Sequence, residues 1–226
     1  MDRPITTLFL LISVDGKIST GSTDEMDYDK DLAQLPDVVK GLQQYYDIQQ
    51  TTDLWSLNSG KTHRKMGRNE APMPEKTIVN YVLIDNKNLN EHGIDFFCHQ
   101  SNKFVLITTN KDHPAYNVQA DNMHIIQQEQ LDLREAFRIL KENLGCERLT
   151  VETGGQLNGI LLRNKLIDFV DVIVAPMLVG GKDTPTLIDG RSLVTPTQLW
   201  ELGTLKLESA ETLNDSYVRL RYKVLS

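Results

Sequence analysis

Cysteine and long apolar runs are both scarce in this sequence, and each absence narrows the class of protein. Only two of the 226 residues are cysteine, Cys98 and Cys146, without a Cys-x-x-Cys pair or histidines at zinc-finger spacing. This pattern indicates reduced thiols in a cytoplasmic chain rather than a disulfide framework or a zinc site. The apolar run from Leu8 to Val14 falls short of the ~20 residues that span a membrane and leads into Asp15-Gly16, so we expect a buried strand rather than a signal peptide.

An excess of positive charge is also absent. Lys and Arg number 24 against 31 Asp and Glu, which gives a net charge of -7. Proteins that bind nucleic acid or anionic membranes draw on surplus basic residues, so we expect neither partner and favour a small-molecule ligand. The length suits a single domain over residues 1–226. We expect no metal site and place the histidines at the surface or in turns, because none has metal-ligand spacing: His63, His92, His99, His113 and His124.

The functional prediction rests on the pattern in residues 149–162. Leu149 to Val151 is a short β-favouring run that ends at Glu152, and Gly154-Gly155 then precede apolar residues at helical spacing, which predicts strand, tight turn and helix. The first N–H groups of a helix bind phosphate, and adjacent glycines let a ligand approach the backbone. A Gly-Gly pair is also an ordinary way to connect a strand sharply to a helix, and this alternative stays open.

The rest of the chain alternates β-favouring runs with helical patterns. Pro36 opens one predicted helix, and a second has a capping pattern at Asp132 and Glu135 and a stop at Gly145. The segment 61–76 is predicted to be a basic loop. Strands are predicted at Ile5–Val14, Leu54–Leu57, Thr77–Ile84, Phe104–Thr109, Phe169–Ala175, Leu205–Leu213 and Tyr217–Val224. We therefore predict an α/β fold with a mixed, mostly parallel central sheet flanked by helices and a C-terminal antiparallel hairpin.

Three segments occur in the same order as in a known enzyme family. They are residues 11–17, Leu-Ile-Ser-Val-Asp-Gly-Lys, residues 151–158, Val-Glu-Thr-Gly-Gly-Gln-Leu-Asn, and residues 174–181, Val-Ala-Pro-Met-Leu-Val-Gly-Gly. Together they resemble the reductase domain of bacterial riboflavin biosynthesis, the C-terminal domain of a bifunctional deaminase-reductase, within the dihydrofolate-reductase-like superfamily. The resemblance implies that fold, NADPH as the hydride donor and a homodimer.

The resemblance also implies which residues bind the cofactor. The Gly-Gly turn and the following helix would hold the pyrophosphate, and Ile12 would line the nicotinamide pocket. Thr108 and Thr109, with Lys111 close in sequence, are candidates for the adenosine 2′-phosphate, although β-propensity with an incidental lysine explains them equally well. The full set is Ile12, Gly60, Lys61, Thr108, Thr109, Gly154, Gly155, Gln156, Leu157 and Asn158.

Substrate contacts implied by the resemblance fall mainly on the first two motifs. Glu152 matches the family's substrate-contacting glutamate, and Asp15 and Lys17 match its Asp-Gly-Lys turn, with Ser13 beside them. We expect Glu152 and Asp15 to orient the substrate and stabilise an iminium, and Arg64, Lys65 or Arg68 in the basic segment to contact a phosphate. An ordinary turn would also explain Asp15, and a solvated basic loop would explain Arg64.

The resulting hypothesis is an NADPH-dependent reductase of the 5-amino-6-(5-phosphoribosylamino)uracil reductase type. It would transfer hydride to a C=N bond or to the ring-opened sugar imine of an aminopyrimidine ribosyl phosphate. The family's Ala-Asp-Asn-Pro segment is missing, and region 58–76 departs from its pattern. Two alternatives therefore remain: a dihydrofolate or pterin reductase with Asp37 or Asp47 as its ring-binding carboxylate, and a catalytically silent nucleotide-binding protein of the same fold.

Overall fold

Two compact units make up the chain in the computed structural model, which describes residues 2–225. The first unit comprises Asp53–Thr153 together with the chain up to Ile5. The second unit comprises Thr6–Thr52 and the chain from Gly154 onward. Each unit is therefore discontinuous in sequence, and the expectation of a single domain stays a prediction.

Within residues 2–225 the chain forms nine β-strands and six α-helices, which confirms the predicted α/β class. The strands are β1 (Ile5–Ser13), β2 (Trp55–Ser59), β3 (Asn80–Ile84), β4 (Phe104–Thr108), β5 (Met123–Gln127), β6 (Arg148–Val151), β7 (Phe169–Ala175), β8 (Thr204–Thr212) and β9 (Val218–Leu225). The helices are α1 (Tyr28–Asp31), α2 (Pro36–Gln49), α3 (Gly60–Lys65), α4 (Glu91–Gln100), α5 (Leu133–Leu144) and α6 (Gly155–Arg163).

The first unit contains parallel strands in the order β5-β4-β3-β2-β6. Every residue of β4 is buried, as expected for an apolar parallel strand that is covered on both faces. Because the strands are parallel, their carboxyl ends lie at one edge, where α/β sheets place their ligands. The apolar core of this unit includes Leu83, Ile94, Phe97, Phe104 and Leu106.

The second unit contains strands in the order β1-β7-β9-β8. β1 and β7 are parallel, whereas β9 is antiparallel to both β7 and β8. The prediction of a mostly parallel sheet with a C-terminal antiparallel hairpin is therefore confirmed. The apolar core of this unit includes Phe9, Leu11, Leu42, Ile173 and Tyr217.

Sequence signals located the best-capped helices well and missed other elements. The Asp132 side chain accepts from the Glu135 N–H at the start of α5, and Gly145 ends that helix with φ 78°. The predicted loop at 61–76 is wrong at its start, because Ser59 accepts from the Thr62 N–H and begins α3. The strand predicted from Thr77 begins only at Asn80, and α4 and β5 were not predicted.

Two histidines contradict the expectation that all five lie at the surface or in turns. His113 is buried, with its Nε2 3.1 Å from Oδ2 of the buried Asp85. His63 on α3 is also buried, and neither ring nitrogen has a hydrogen-bond partner among the described residues. Its ring lies edge-on to Phe97, with the centroids 4.6 Å apart. Burial, with a smaller effect of the Arg68 charge, lowers the pKa of His63 to about 3.

Both cysteines are buried free thiols, and burial raises the pKa of Cys98 and of Cys146 to about 12. Within residues 2–225 no helix combines the length and apolar character needed to cross a bilayer. In the same range no cluster of three or more His, Cys, Asp or Glu side chains could hold a metal ion.

Candidate active site

In the second unit, the turn after β1 holds Asp15 in a fixed position. The buried Ser13 donates through Oγ to Asp15 Oδ1 at 2.5 Å and accepts from the Lys17 N–H at 2.9 Å. The Asp15 carboxylate also accepts from the N–H groups of Val179 and Gly180, at 3.1 and 2.6 Å. These bonds, led by that from Ser13, lower the pKa of Asp15 to about 2. Asp15 is therefore an exposed, ionised carboxylate at neutral pH and does not serve as a proton donor there.

Lys17 is buried beneath the same turn. Its Nζ donates to the carbonyl oxygens of Gly181 and Thr184, at 2.7 and 2.9 Å. The ammonium group therefore holds the segment that follows the Gly180-Gly181 pair. The substrate contact expected of Lys17 stays a prediction.

A segment that we call the strap, residues 184–189, joins this turn to α6. Thr186 forms a β-bridge with Lys17, and the Leu187 N–H donates to the Gly16 carbonyl at 3.1 Å. On the other side, the fully buried Asn158 donates through Nδ2 to the Leu187 carbonyl at 2.9 Å. The strap therefore connects the Asp15 turn to the first two turns of α6.

The two positions at the start of α6 are occupied by glycine for different physical reasons. A β-carbon at Gly155 would lie 2.2 Å from the Thr186 carbonyl oxygen and 2.4 Å from Asp189 Oδ2, so the approach of the strap requires glycine there. A β-carbon at Gly154 would meet no described atom within 4 Å. Gly154 is also the N-cap and provides no side-chain hydrogen bond to the first turn. The open approach expected from the Gly-Gly pair is therefore found at Gly154.

In the first unit, Glu152 directly follows β6 and is the last member of a polar chain that begins on β2. Ser56 donates through Oγ to Glu152 Oε2 at 2.6 Å, and Asn58 donates through Nδ2 to Ser56 Oγ at 2.8 Å. Ser56 and Asn58 are buried two residues apart on β2, so their side chains lie on one face. Sequence reasoning missed both, although two polar residues at period-two spacing in a buried strand were an available signal.

The pKa of Tyr81, the β3 neighbour of Ser56, is affected by the charge of Glu152. Burial raises the pKa of Tyr81, the Glu152 charge raises it further, and the Arg68 charge opposes them. The Arg68 guanidinium lies 4.9 Å from the centroid of the Phe96 ring. Glu152 and Arg68 therefore both affect Tyr81, whereas Arg64 is exposed on α3.

The remaining candidates of the first unit lie at the ends of β2 and β4. Thr108 is buried and donates through Oγ1 to Asn86 Oδ1 at 2.9 Å, and the same oxygen accepts from the Thr109 N–H at 2.8 Å. The Thr108 hydroxyl hydrogen is therefore used within the protein, and Thr109 is half-buried. A β-carbon at Gly60 would lie 2.3 Å from Asp85 Cγ, so packing explains this glycine.

A family model described as the RibD C-terminal domain matches residues 4–218 of the chain. The chain belongs to the RibD C-terminal domain family. This result confirms the resemblance on which the sequence analysis relied.

One curated relative of this RibD-type chain is the 2,5-diamino-6-ribosylamino-4(3H)-pyrimidinone 5′-phosphate reductase of Methanothermobacter thermautotrophicus, 37% identical over 75 residues. The match covers 33% of each chain, so it spans about a third of that relative's length. Among solved structures, RibD of Acinetobacter baumannii (form 1) has a TM-score of 0.69 at 15% identity, covering 100% of this chain and 59% of that one.

A second solved structure, from Thermotoga maritima, is named a diaminohydroxyphosphoribosylaminopyrimidine deaminase/5-amino-6-(5-phosphoribosylamino)uracil reductase. Its TM-score is 0.63 at 15% identity, and the match covers 99% of this chain and 57% of that one. At this level of identity both structural matches show the RibD-type fold alone.

The RibD-type structure groups the predicted residues by unit. In the second unit, hydrogen bonds and the strap link the Asp15 turn to the start of α6, where Gln156 is exposed and Leu157 half-buried; Ile12 is half-buried on β1. The first unit carries the others: Gly60, Lys61, Arg64, Thr108, Thr109 and Glu152. The cofactor and substrate contacts predicted for these residues stay predictions.

Proposed function

We propose that the chain is an NADPH-dependent reductase of a pyrimidine ribosylamine 5′-phosphate. The family, together with the name of the archaeal relative, supports a reductase of the riboflavin pathway. The observation that carries the cofactor proposal is the start of α6, where an N-cap glycine leaves the first turn without a side-chain cap and open on the β-carbon side. The substrate is either the 2,5-diaminopyrimidinone or the 5-aminouracil compound that the two relatives' names contain.

The residues at the start of α6 fit a dinucleotide pyrophosphate. We assign it to the backbone N–H groups of Gly154, Gly155 and Gln156, because the first N–H groups of a helix point outward and the helix dipole favours an anion. Leu157 and Asn158 complete that turn, with Asn158 holding the strap. Ile12 is assigned to the nicotinamide. In the first unit we assign Thr109, with Gly60 and Lys61, to the adenosine part, and Thr108 to positioning through Asn86.

Bound NADPH would supply a hydride to the carbon of the substrate's C=N bond, while the nitrogen gains a proton. Asp15 remains ionised and places a negative charge that stabilises an iminium cation, with Ser13 and two backbone N–H groups fixing its orientation. Lys17 keeps the neighbouring segment in place. Glu152 orients the pyrimidine ring, and Arg68, with Arg64 as the second candidate, contacts the phosphate.

The dihydrofolate reductase alternative requires a buried carboxylate, and neither of its two candidates on α2 is buried. The Asp37 side chain is 95% exposed and pairs with Lys40, and the exposed Asp47 accepts from Gln43. Neither provides the apolar surroundings in which a ring-binding carboxylate would act. The silent-binder alternative is addressed by the assay below.

We also propose that the protein forms a homodimer in the cytoplasm. Trp200, Leu205 and Leu207 are 67%, 45% and 51% exposed on the C-terminal part of the second unit, which supports self-association. The two free thiols suit a reducing compartment. Light scattering coupled to size exclusion would measure the oligomeric state, and a monomer at working concentration would contradict the dimer.

The test of function is a fluorescence-monitored titration with NADPH and with NADH, followed by addition of dihydrofolate and then of each pyrimidine ribosylamine 5′-phosphate. Oxidation of NADPH by a pyrimidine compound and not by dihydrofolate is the expected result. Binding without oxidation would instead support a silent binder. Failure to bind either cofactor would refute the assignment at α6.

A further inference from the structure

A buried carboxylate directly follows β3 in the first unit, and the proposed function does not use it. Asp85 is 2% exposed, and its side chain accepts from the Leu89 N–H at 2.9 Å, the Asn88 N–H at 3.0 Å, Asn88 Nδ2 at 2.5 Å and His113. Burial alone would raise the pKa of Asp85, but these bonds outweigh it and lower the pKa. Apolar side chains often fill such a place with greater stability, so the ionised carboxylate points to a requirement other than packing.

The hydrogen bonds of His113 fix its tautomer and the direction of its bond to Asp85. His113 Nδ1 accepts from the Ala115 N–H at 3.1 Å, so the ring proton is on Nε2. Nε2 then donates to Asp85 Oδ2 at 3.1 Å. His113 is 1% exposed and acts as a neutral donor, so one directed bond ties the connection between β4 and β5 to Asp85.

The Asp85 side chain also lies directly against the start of α3. A β-carbon at Gly60 would lie 2.6 Å from both Cβ and Oδ1 of Asp85. One side chain therefore contacts the connections that follow β2, β3 and β4. Because these three strands are parallel, the connections lie at the same edge of the first unit.

The residues assigned to the adenosine part of NADPH belong to two of these connections. Gly60 and Lys61 follow β2, and Thr109 follows β4. Asn86, the residue after Asp85, accepts through Oδ1 from the Thr109 N–H at 2.8 Å. Asp85 therefore joins the two sides of this part of the proposed site, although it is itself too deeply buried to contact a ligand.

We propose that Asp85, held by His113, positions the connections after β2 and β4 for the adenosine part of NADPH. Asp85 is thus a positioning residue, and it lowers the loss of conformational freedom when the cofactor binds. This inference rests on the proposed function and adds the group that preorganises one half of its cofactor site. Disturbing Asp85 should therefore weaken binding of the adenosine half and leave use of the nicotinamide half unchanged.

The experiment uses the two halves of the cofactor as separate probes. Adenosine 2′,5′-bisphosphate, titrated by calorimetry, reports on the adenosine half and needs no turnover. Reduced nicotinamide mononucleotide is a hydride donor that lacks the adenosine half.

The first variant is Asp85→Asn, which keeps the size of the side chain but places an NH2 group among the donors that surround it. Its affinity for the bisphosphate should fall by about tenfold or more, and KM for NADPH should rise accordingly. The kcat at saturating NADPH and the kcat/KM with the mononucleotide should stay within about twofold of the wild type, because only binding of the adenosine half is lost.

Two variants of His113 test the same position from outside the carboxylate. His113→Phe keeps a ring but removes the donor to Asp85, so affinity for the bisphosphate should fall by about three- to tenfold. His113→Gln can still donate to Asp85 and accept from the Ala115 N–H, so it should restore the affinity. The matched control is His92→Phe, which removes a histidine bond to the Ala71 carbonyl in the same unit and should leave the affinity unchanged.

Thermal melting shows that each variant is folded, and His113→Phe carries the comparison if Asp85→Asn does not fold. Unchanged affinity for the bisphosphate in the folded variants would overturn the positioning role of Asp85 and leave the reductase intact. An equal loss with the bisphosphate and with the mononucleotide would overturn it as well, since it would show general damage. A wild type that binds neither NADPH nor the bisphosphate would refute the proposed function and this inference with it.

Discussion

Removing the buried histidine of α3 should make the stability of the protein less dependent on pH. His63 is buried, and its pKa falls from the usual 6.5 to about 3 on folding. As pH drops below 6.5 the unfolded chain binds a proton that the folded chain refuses, so the folded state loses stability at up to about 1.4 kcal/mol per pH unit. At pH 5 the accumulated loss is about 2 kcal/mol, and at pH 7.5 it is close to zero.

The measurement is the free energy of unfolding in urea at pH 7.5 and pH 5, followed by fluorescence of the buried Trp55 in the same unit. His63→Leu removes the titrating ring and its two unpaired nitrogens, so its loss between the two pH values should be smaller than that of the wild type by about 2 kcal/mol. His124→Leu, at an exposed position, should follow the wild type. Equal pH dependence of the free energy of unfolding in the wild type and in His63→Leu would refute the conclusion that His63 is neutral in the folded state.

Three further predictions concern the second unit. Gly155→Ala should destabilise the fold by about 1–3 kcal/mol in thermal melting, because its β-carbon would collide with the strap. Gly154→Ala should melt like the wild type and should weaken NADPH binding in a fluorescence titration. Equal NADPH affinity in Gly154→Ala and the wild type would argue against the pyrophosphate assignment. Lys17→Met should lose about 1–3 kcal/mol and speed proteolytic cleavage near the strap, since two carbonyls lose their donor; an unchanged cleavage rate would contradict this role. Asp171→Asn should lower the free energy of unfolding by about 1–2 kcal/mol, because Asp171 is buried between two arginines of β9. Asp37→Asn removes an exposed ion pair and should leave the melting temperature unchanged. Equal melting temperatures of these two variants would show that burial of the ion pair is unimportant.

Local signals explain which helices the sequence could predict. α5 has an aspartate cap, an apolar stripe and a glycine stop, all within fourteen residues, and it was located correctly. α4 carries an Asn90 cap and buried Ile94 and Phe97, but its stripe is short and its ends were not marked by proline or by a stop glycine. α3 has only six residues, so the basic composition of the segment led to the prediction of a loop, although Ser59 caps the helix.

The site shows the same division between local and distant causes. The strand, turn and helix at 149–162 follow from neighbouring residues and were predicted. The need for glycine at 155 comes from Thr186 and Asp189, some thirty positions away, which periodicity cannot reveal. Likewise, the bond between Ser56 and Glu152 depends on the pairing of β2 with β6, which is not encoded in either segment alone.

The discontinuity of the second unit has a consequence for how the chain is made. Thr7 of β1 pairs with Phe169 of β7, so this pairing must wait until residue 169 has been synthesised, 162 positions later. At ordinary rates of translation the delay is about ten to thirty seconds. During that time the apolar segment Leu8–Ile12 lacks its β7 partner, and unpaired apolar strands of this kind favour aggregation.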